Sequence, residues 1–189
     1  RRLLALALQR SAVREGAILL VDEVEQGLEP HRLRHLVRKL RPSVDATLDV
    51  GDPTSVPPNG QVFMTTHSSV AVVELAADEL HVVRSLDGTT SVNRVPSALQ
   101  PTIRSAPEAL LAESIVVCEG KTEFGLCRAL DRAWSAQPHG VAMAYLGVVP
   151  TVGESSGSAA PRNAVHLASL GYRTVYFGDS DAPLSPNET

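Results

Sequence analysis

What is scarce in this chain narrows its chemistry first. No apolar stretch approaches the roughly twenty residues a membrane-spanning helix needs, and no basic, apolar and small-residue leader opens it. Aromatic residues make up 4% of the 189 residues, with three Phe, three Tyr and one Trp. That is too few for a base-stacking platform along a single nucleic-acid strand. The two cysteines, Cys118 and Cys127, make neither a disulfide framework nor a metal-binding pair, so reducing, cytoplasmic surroundings are expected. Neither charge dominates: 17 Lys and Arg against 21 Asp and Glu give a net charge of −4. Composition therefore carries no basic footprint, although a basic channel can sit on an acidic protein. There is no internal repeat, and the chain opens on Arg1-Arg2 without an initiator methionine, as expected of an excerpt or a processed product.

What is present is alternation. With 43% hydrophobic and 20% charged residues, the chain reads as soluble and globular. RRLLALALQRSAV (1–13) has helical apolar spacing. AILLVDE (17–23) is a continuous apolar run ending in two acids, as a buried parallel strand would be. EPHRLRHLVRKL (29–40) predicts an amphipathic helix with Pro30 in its first turn. Residues 41–60, rich in Pro, Gly, Asp and Ser, predict a loop. QVFMTTH (61–67) predicts a second buried strand, followed by a helix capped by Ser68 or Ser69. Residues 78–95 alternate around Asp87-Gly88, a hairpin signal. The three prolines of 96–112 suggest a boundary. Beyond it come strand SIVVC, helix 121–134, strand VAMAYLGV (141–148), a Gly/Ser-rich loop 153–160, helix 161–170 and strand TVYFG. The fold class is α/β, and right-handed crossovers turn this β-α-β-α-β run into a parallel sheet.

The stretch IVVCEGKTEFG (115–125) places Gly120-Lys121-Thr122 at a strand-to-helix turn. A phosphate-cradling loop needs G-x-x-x-x-G-K-[ST], so that successive backbone N–H groups wrap the phosphates. Ile115 stands where the first glycine should be, so this loop is too short to hold a nucleotide. The carboxylates suit another chemistry. Glu119 ends a parallel strand, the edge at which α/β sheets place their sites, and Glu123 follows in the first helical turn. Asp179 and Asp181 end another strand at i and i+2, which point the same way in extended chain. Hard oxygen ligands so gathered suit Mg²⁺ or Mn²⁺ acting on phosphate oxygens. Taken singly, Glu123 could be capping its helix and the Asp pair could be a turn.

VVCEGKTE followed by FGDSD resembles the Toprim domain of topoisomerases, primases and certain nucleases. The resemblance covers about residues 113–182 and implies that Glu119 is a metal ligand or general acid/base and that Asp179 and Asp181 bind metal. The second glutamate, Glu123, is similar to that of the overcoming-lysogenization-defect (OLD) nucleases. Their Gly-rich middle motif would fall in VGESSGSAAPRNA, with Gly153 and Gly157 as counterparts and without the usual double glycine. A lysine those nucleases use later in the domain would lie past Thr189.

In the first half, Asp22 at a buried strand end can hold a nucleotide's Mg²⁺ through water, and Glu23 can orient the attacking water. His67, at the next strand end, can sense a γ-phosphate. ILLVDEVEQGLEPHR and TTHSS resemble the C-terminal half of an ABC-type ATPase of the RecF and SMC kind: Walker B in LLVDE, D-loop in EQGLEPH, H-loop at His67. The phosphate loop and signature motif would lie upstream of Arg1.

Other features read more plainly. His31 and His35 share a helix face at i, i+4, but no H-E-x-x-H pattern makes them a zinc pair. Arg32, Arg34, Arg38, Lys39 and Arg41 read as a solvated basic face ahead of a DNA contact. Cys118, inside an apolar strand, reads as core. Ser155, Ser156 and Ser158 lack a G-x-S-x-G frame and read as loop.

The expected organisation is a partial ABC-type ATPase at 1–95, a linker at 96–112 and a truncated Toprim domain at 113–189, the order of OLD-family nucleases. That resemblance implies an ATP-regulated, Mg²⁺- or Mn²⁺-dependent DNA endonuclease acting in phage defence or DNA processing, homodimeric as the parent protein and without a membrane. The alternative is a truncated, non-catalytic module that binds nucleic acid or a protein partner. A topoisomerase-like reading needs a nucleophilic tyrosine in another domain, and Tyr145, Tyr172 and Tyr176 lack that context.

Overall fold

The structure, a computed structural model, describes residues 18–40, 61–153 and 159–179. The helix expected at 1–13, the loop at 41–60, Gly157 and Asp181 lie outside the described residues. The chain divides into two compact units, residues 1–74 and 75–189.

In the first unit, β1 (Ile18–Val21) pairs in parallel with β2 (Gln61–Met64), in register from Ile18↔Gln61 to Val21↔Met64. Between them in sequence lies α1 (Pro30–Leu40), which Pro30 opens with its backbone angle preset and no N–H to satisfy. Leu33, Leu36, Val37 and Leu40 recur at helical spacing and are buried together with Val21 and Val24. A short helix, α2 (Ser69–Val73), buries Ala71 and Val72 and packs on α1. Ser68 is its N-cap in extended conformation, but no side-chain hydrogen bond caps it.

The second unit begins with an antiparallel hairpin, β3 (His81–Leu86) and β4 (Thr89–Arg94). Asp87 (φ 49°) and Gly88 (φ 79°) both take the left-handed conformation that a two-residue hairpin turn requires, as the Asp-Gly signal indicates. The stretch 96–112, expected to be a linker, is folded within this unit. Its prolines start helical turns: Pro96 precedes the turn Ser97–Leu99, Pro101 lies in the first turn of α3 (Gln100–Ser105), and Pro107 opens Pro107–Leu111. Leu99, Thr102, Ile103 and Ala109 are buried there.

The rest is a three-stranded parallel sheet in the order β6-β5-β7. The central strand β5 (Ser114–Cys118) buries Ile115, Val117 and Cys118. After it come α4 (Lys121–Ser135), β6 (Val148–Val152), α5 (Ala159–Ser169) and β7 (Arg173–Phe177). This is the expected β-α-β-α-β sheet with one displacement. The strand placed at 141–148 is instead a 3₁₀ turn at Met143–Leu146, and pairing starts at Val148. Gly147, in the left-handed conformation (φ 66°), ends the turn and redirects the chain into β6. Pro150 is tolerated because β6 lies at an edge of the sheet. Buried Tyr172 ties the 107–111 turn to this sheet: its hydroxyl donates to Leu110 O at 2.6 Å, and the Arg84 guanidinium stacks 4.0 Å from its ring centre. Among the described residues, no helix is long and apolar enough to cross a membrane.

Candidate functional site

Two groups of polar residues stand at the C-terminal ends of parallel strands, one in each unit. In the first, the chain leaving β1 and the chain leaving β2 are stitched together. Thr65 N donates to Val21 O and Val24 N donates to Thr65 O, both at 3.0 Å. The Thr65 hydroxyl donates to Asp22 Oδ1 at 2.6 Å and accepts from Glu23 N at 2.8 Å. Glu23 itself has φ 44°, the left-handed region that a residue with a Cβ enters at a cost. One turn on, Glu25 uses both carboxylate oxygens: Oε2 accepts from the Thr66 hydroxyl at 2.7 Å and Oε1 from His67 N at 2.6 Å. Burial pushes the Glu25 carboxyl up, but the His67 N–H, the Thr66 hydroxyl, its own backbone N–H and the nearby His67 side chain together hold it below its ordinary value.

The structure therefore brings Asp22, Glu23 and the His67 backbone to one sheet edge. Sequence reasoning missed Thr65, Thr66 and Glu25, the residues that make the connection. The available signal was the polar Thr-Thr-His following an apolar strand, opposite an Asp-Glu-Val-Glu run.

On α1, Arg32, Arg34 and Arg38 of the basic face are ion-paired within the unit, and Arg41 lies outside the described residues. Glu74, nearly buried, receives Arg34 Nε and Arg38 Nε, each at 2.6 Å, and Arg32 pairs with Glu29 at 2.9 Å. His31 and His35 are both exposed on this helix.

In the second unit, Glu119 follows β5 and extends its pairing, with Glu119 N donating to Phe177 O at 2.9 Å. Its Oε2 accepts two hydrogen bonds, from the Tyr176 hydroxyl and from Asp179 N, each at 2.9 Å. Glu123 Oε2 accepts from Gly120 N at 3.0 Å, which makes Gly120 the N-cap of α4 and Glu123 its capping partner. The glycines of this edge are close-approach positions. Gly153 N donates to Cys118 O at 2.7 Å, and a Cβ on Gly153 would lie 2.1 Å from Ala160 Cβ. A Cβ on Gly178 would lie 2.1 Å from the Tyr176 hydroxyl oxygen and 2.5 Å from Glu119 Oε2.

Glu119, Glu123 and Asp179 thus share one sheet edge, and their hard oxygen donors fit Mg²⁺ or Mn²⁺. Among the described residues, no three His, Cys, Asp or Glu side chains converge as a metal cage, and Asp181 lies outside them. A groove of about 310 Å³ beside α4, lined by Phe124, Arg128, Asp131, Met143 and Pro150 among others, contains none of Glu119, Glu123 and Asp179.

No curated protein matches the chain. Residues 1–74 match the family described as "AAA domain, putative AbiEii toxin, Type IV TA system". The matched span coincides with the first compact unit and holds the Asp22, Glu23 and His67 edge. This match supports an ABC/AAA-type ATPase region at residues 1–74.

Proposed function

We propose that the chain joins this ATPase region to a Toprim-type, divalent-metal-dependent DNA endonuclease centre, in the manner of the OLD-family nucleases. The observation that carries the nuclease part is the strand-end carboxylate of Glu119, fixed by donors from the segment that also supplies Asp179. A rigidly held carboxylate beside a second strand-end acid is what metal-assisted hydrolysis of a phosphodiester needs. Glu119, Glu123, Asp179 and Asp181 would hold Mg²⁺ or Mn²⁺, which when bound polarises phosphate oxygens and lowers the pKa of water. Gly120 and Gly153 would keep the backbone close enough to that edge for DNA to approach, with Gly157 as a further glycine of the same motif.

In the ATPase region, Asp22 would face the nucleotide's Mg²⁺, with its carboxylate oriented by Thr65. Glu23 would accept the proton of the attacking water, and His67 would contact the γ-phosphate. The fuller reading is a cytoplasmic, homodimeric protein acting on DNA in phage defence or DNA processing. A second reading, a non-catalytic module that binds nucleic acid or a partner, draws on the lack of a three-group metal cluster among the described residues. Metal-dependent nicking of supercoiled plasmid, lost in Glu119→Gln, supports the first reading; no nicking by the folded chain supports the second.

A further inference from the structure

Tyr176 lies on β7 opposite Val117 of β5. Paired residues of neighbouring strands project from the same face, and so do residues i and i+2 of one strand. Tyr176, Val117 and Glu119 therefore share a face, and the phenol reaches along the sheet to the carboxylate. Gly178, two residues beyond Tyr176, falls on that face too. The space its missing side chain leaves is occupied by the phenol and by Glu119 Oε2.

We infer that Tyr176 is a positioning residue for Glu119, fixing its carboxylate so that Oε1 is the oxygen presented to a divalent cation, and that Gly178 is the vacancy through which it does so. The inference rests on the reading of Glu119 as a metal ligand. Each carboxylate oxygen accepts about two hydrogen bonds. Oε2 already accepts from the Tyr176 hydroxyl and from Asp179 N, both at 2.9 Å, which leaves Oε1 for a cation. The Asp179 N–H alone fixes a position but leaves the carboxylate free to turn about it. A second donor, arriving from a side chain held between two strands, removes that freedom. Partners of this kind orient a metal's ligands, and their loss commonly costs ten- to a hundredfold in affinity.

The test is Mn²⁺ binding to the full chain, by calorimetry and by the loss of the free-ion paramagnetic signal. Wild type, Glu119→Gln, Tyr176→Phe and Gly178→Ala are compared, each checked for folding by its unfolding midpoint in EDTA. The site of interest is the Mn²⁺ lost in Glu119→Gln, which separates it from any ion at Asp22. Tyr176→Phe is expected to weaken that site about tenfold. Gly178→Ala, whose methyl group would displace both the phenol and Glu119 Oε2, is expected to weaken it in the same direction. If Tyr176→Phe fails to fold, Tyr176→Leu, which also lacks the hydroxyl and leaves Gly178 untouched, is read in the same way. A Tyr176→Phe chain that binds Mn²⁺ within twofold of wild type while Glu119→Gln loses it overturns the inference and leaves the site standing. That holds even if the variant's unfolding midpoint falls, because a merely structural tyrosine would move only the midpoint. If Glu119→Gln binds Mn²⁺ as wild type does, the site reading fails and the inference with it.

Discussion

The Oε1 oxygen of Glu25 accepts a 2.6 Å hydrogen bond from the backbone N–H of His67, and Oε2 holds the Thr66 hydroxyl. This carboxylate clamps the end of β2 to the loop after β1, and so sets where His67 stands relative to Asp22 and Glu23.

Replacing Glu25 by Ala removes both acceptors and should cost the first unit about 1–2 kcal/mol, the range of a partly solvated, charge-assisted pair. Urea unfolding followed by circular dichroism measures it. The pH dependence has a definite sign. The folded carboxyl titrates below its ordinary value of 4.5, so the unfolded chain binds the proton first as pH falls. The stabilisation is present above about 4.5 and is lost as pH drops through the lower folded value. The wild-type midpoint should fall more steeply with acid than that of Glu25→Ala. Parallel acid profiles for the two would contradict the clamp.

Burial pushes the Cys118 thiol up to about 12, with the neighbouring Cys127 adding to the shift, and burial raises Cys127 as well. Since the thiolate is the reactive form, neither thiol should react with a disulfide reagent at pH 8 in the time in which the urea-unfolded chain reacts at both. The stability consequence runs opposite to that of Glu25. The unfolded thiol ionises near 9 while the folded one stays protonated, so stability is lost between about pH 9 and 12. Rapid labelling of the folded chain would place these thiols at the surface.

Gly153→Ala puts a methyl 2.1 Å from Ala160 Cβ and 2.6 Å from Ala160 Cα. Because one of the atoms met is backbone, α5 must shift, and the expected cost is about 1–3 kcal/mol, read as a lower urea midpoint. By contrast, a Cβ at Gly125 meets nothing within 4 Å, and that position is helical. Gly125→Ala should therefore stabilise by about 0.5–1 kcal/mol. Equal effects at the two positions would contradict the close approach at Gly153.

Much of this architecture is legible in the sequence because its signals are local. Apolar runs ending in acids give β1 and β5, although the first unit's strands, expected to be buried, leave Ile18, Leu20 and Phe63 exposed; the Asp87-Gly88 pair gives the hairpin turn, and the spacing of Leu33, Leu36, Val37 and Leu40 gives the buried face of α1. Two misplacements are also local. Apolar VAMAYLGV outweighed Gly147 as a strand signal, and the prolines of 96–112 read as linker although they start helical turns. The carboxylates were legible as strand-end acids, but their partners were not. Thr65 meets Asp22, and Tyr176 meets Glu119, only through the pairing of strands distant in sequence. Residue spacing along the chain does not encode such a register. Glu123, legible in the sequence both as a candidate metal ligand and as a helix cap, is used by the structure as the cap.

The measurement that bears most directly on the central claim is cleavage of supercoiled plasmid by the full chain in Mg²⁺, in Mn²⁺ and in EDTA, beside Glu119→Gln of equal unfolding midpoint. Metal-dependent nicking that falls at least a hundredfold in Glu119→Gln, on the order of the loss from removing one catalytic group, is the predicted result. Nicking that is unchanged in Glu119→Gln, or absent from the folded wild-type chain with either metal, would contradict a nuclease centre at the end of β5.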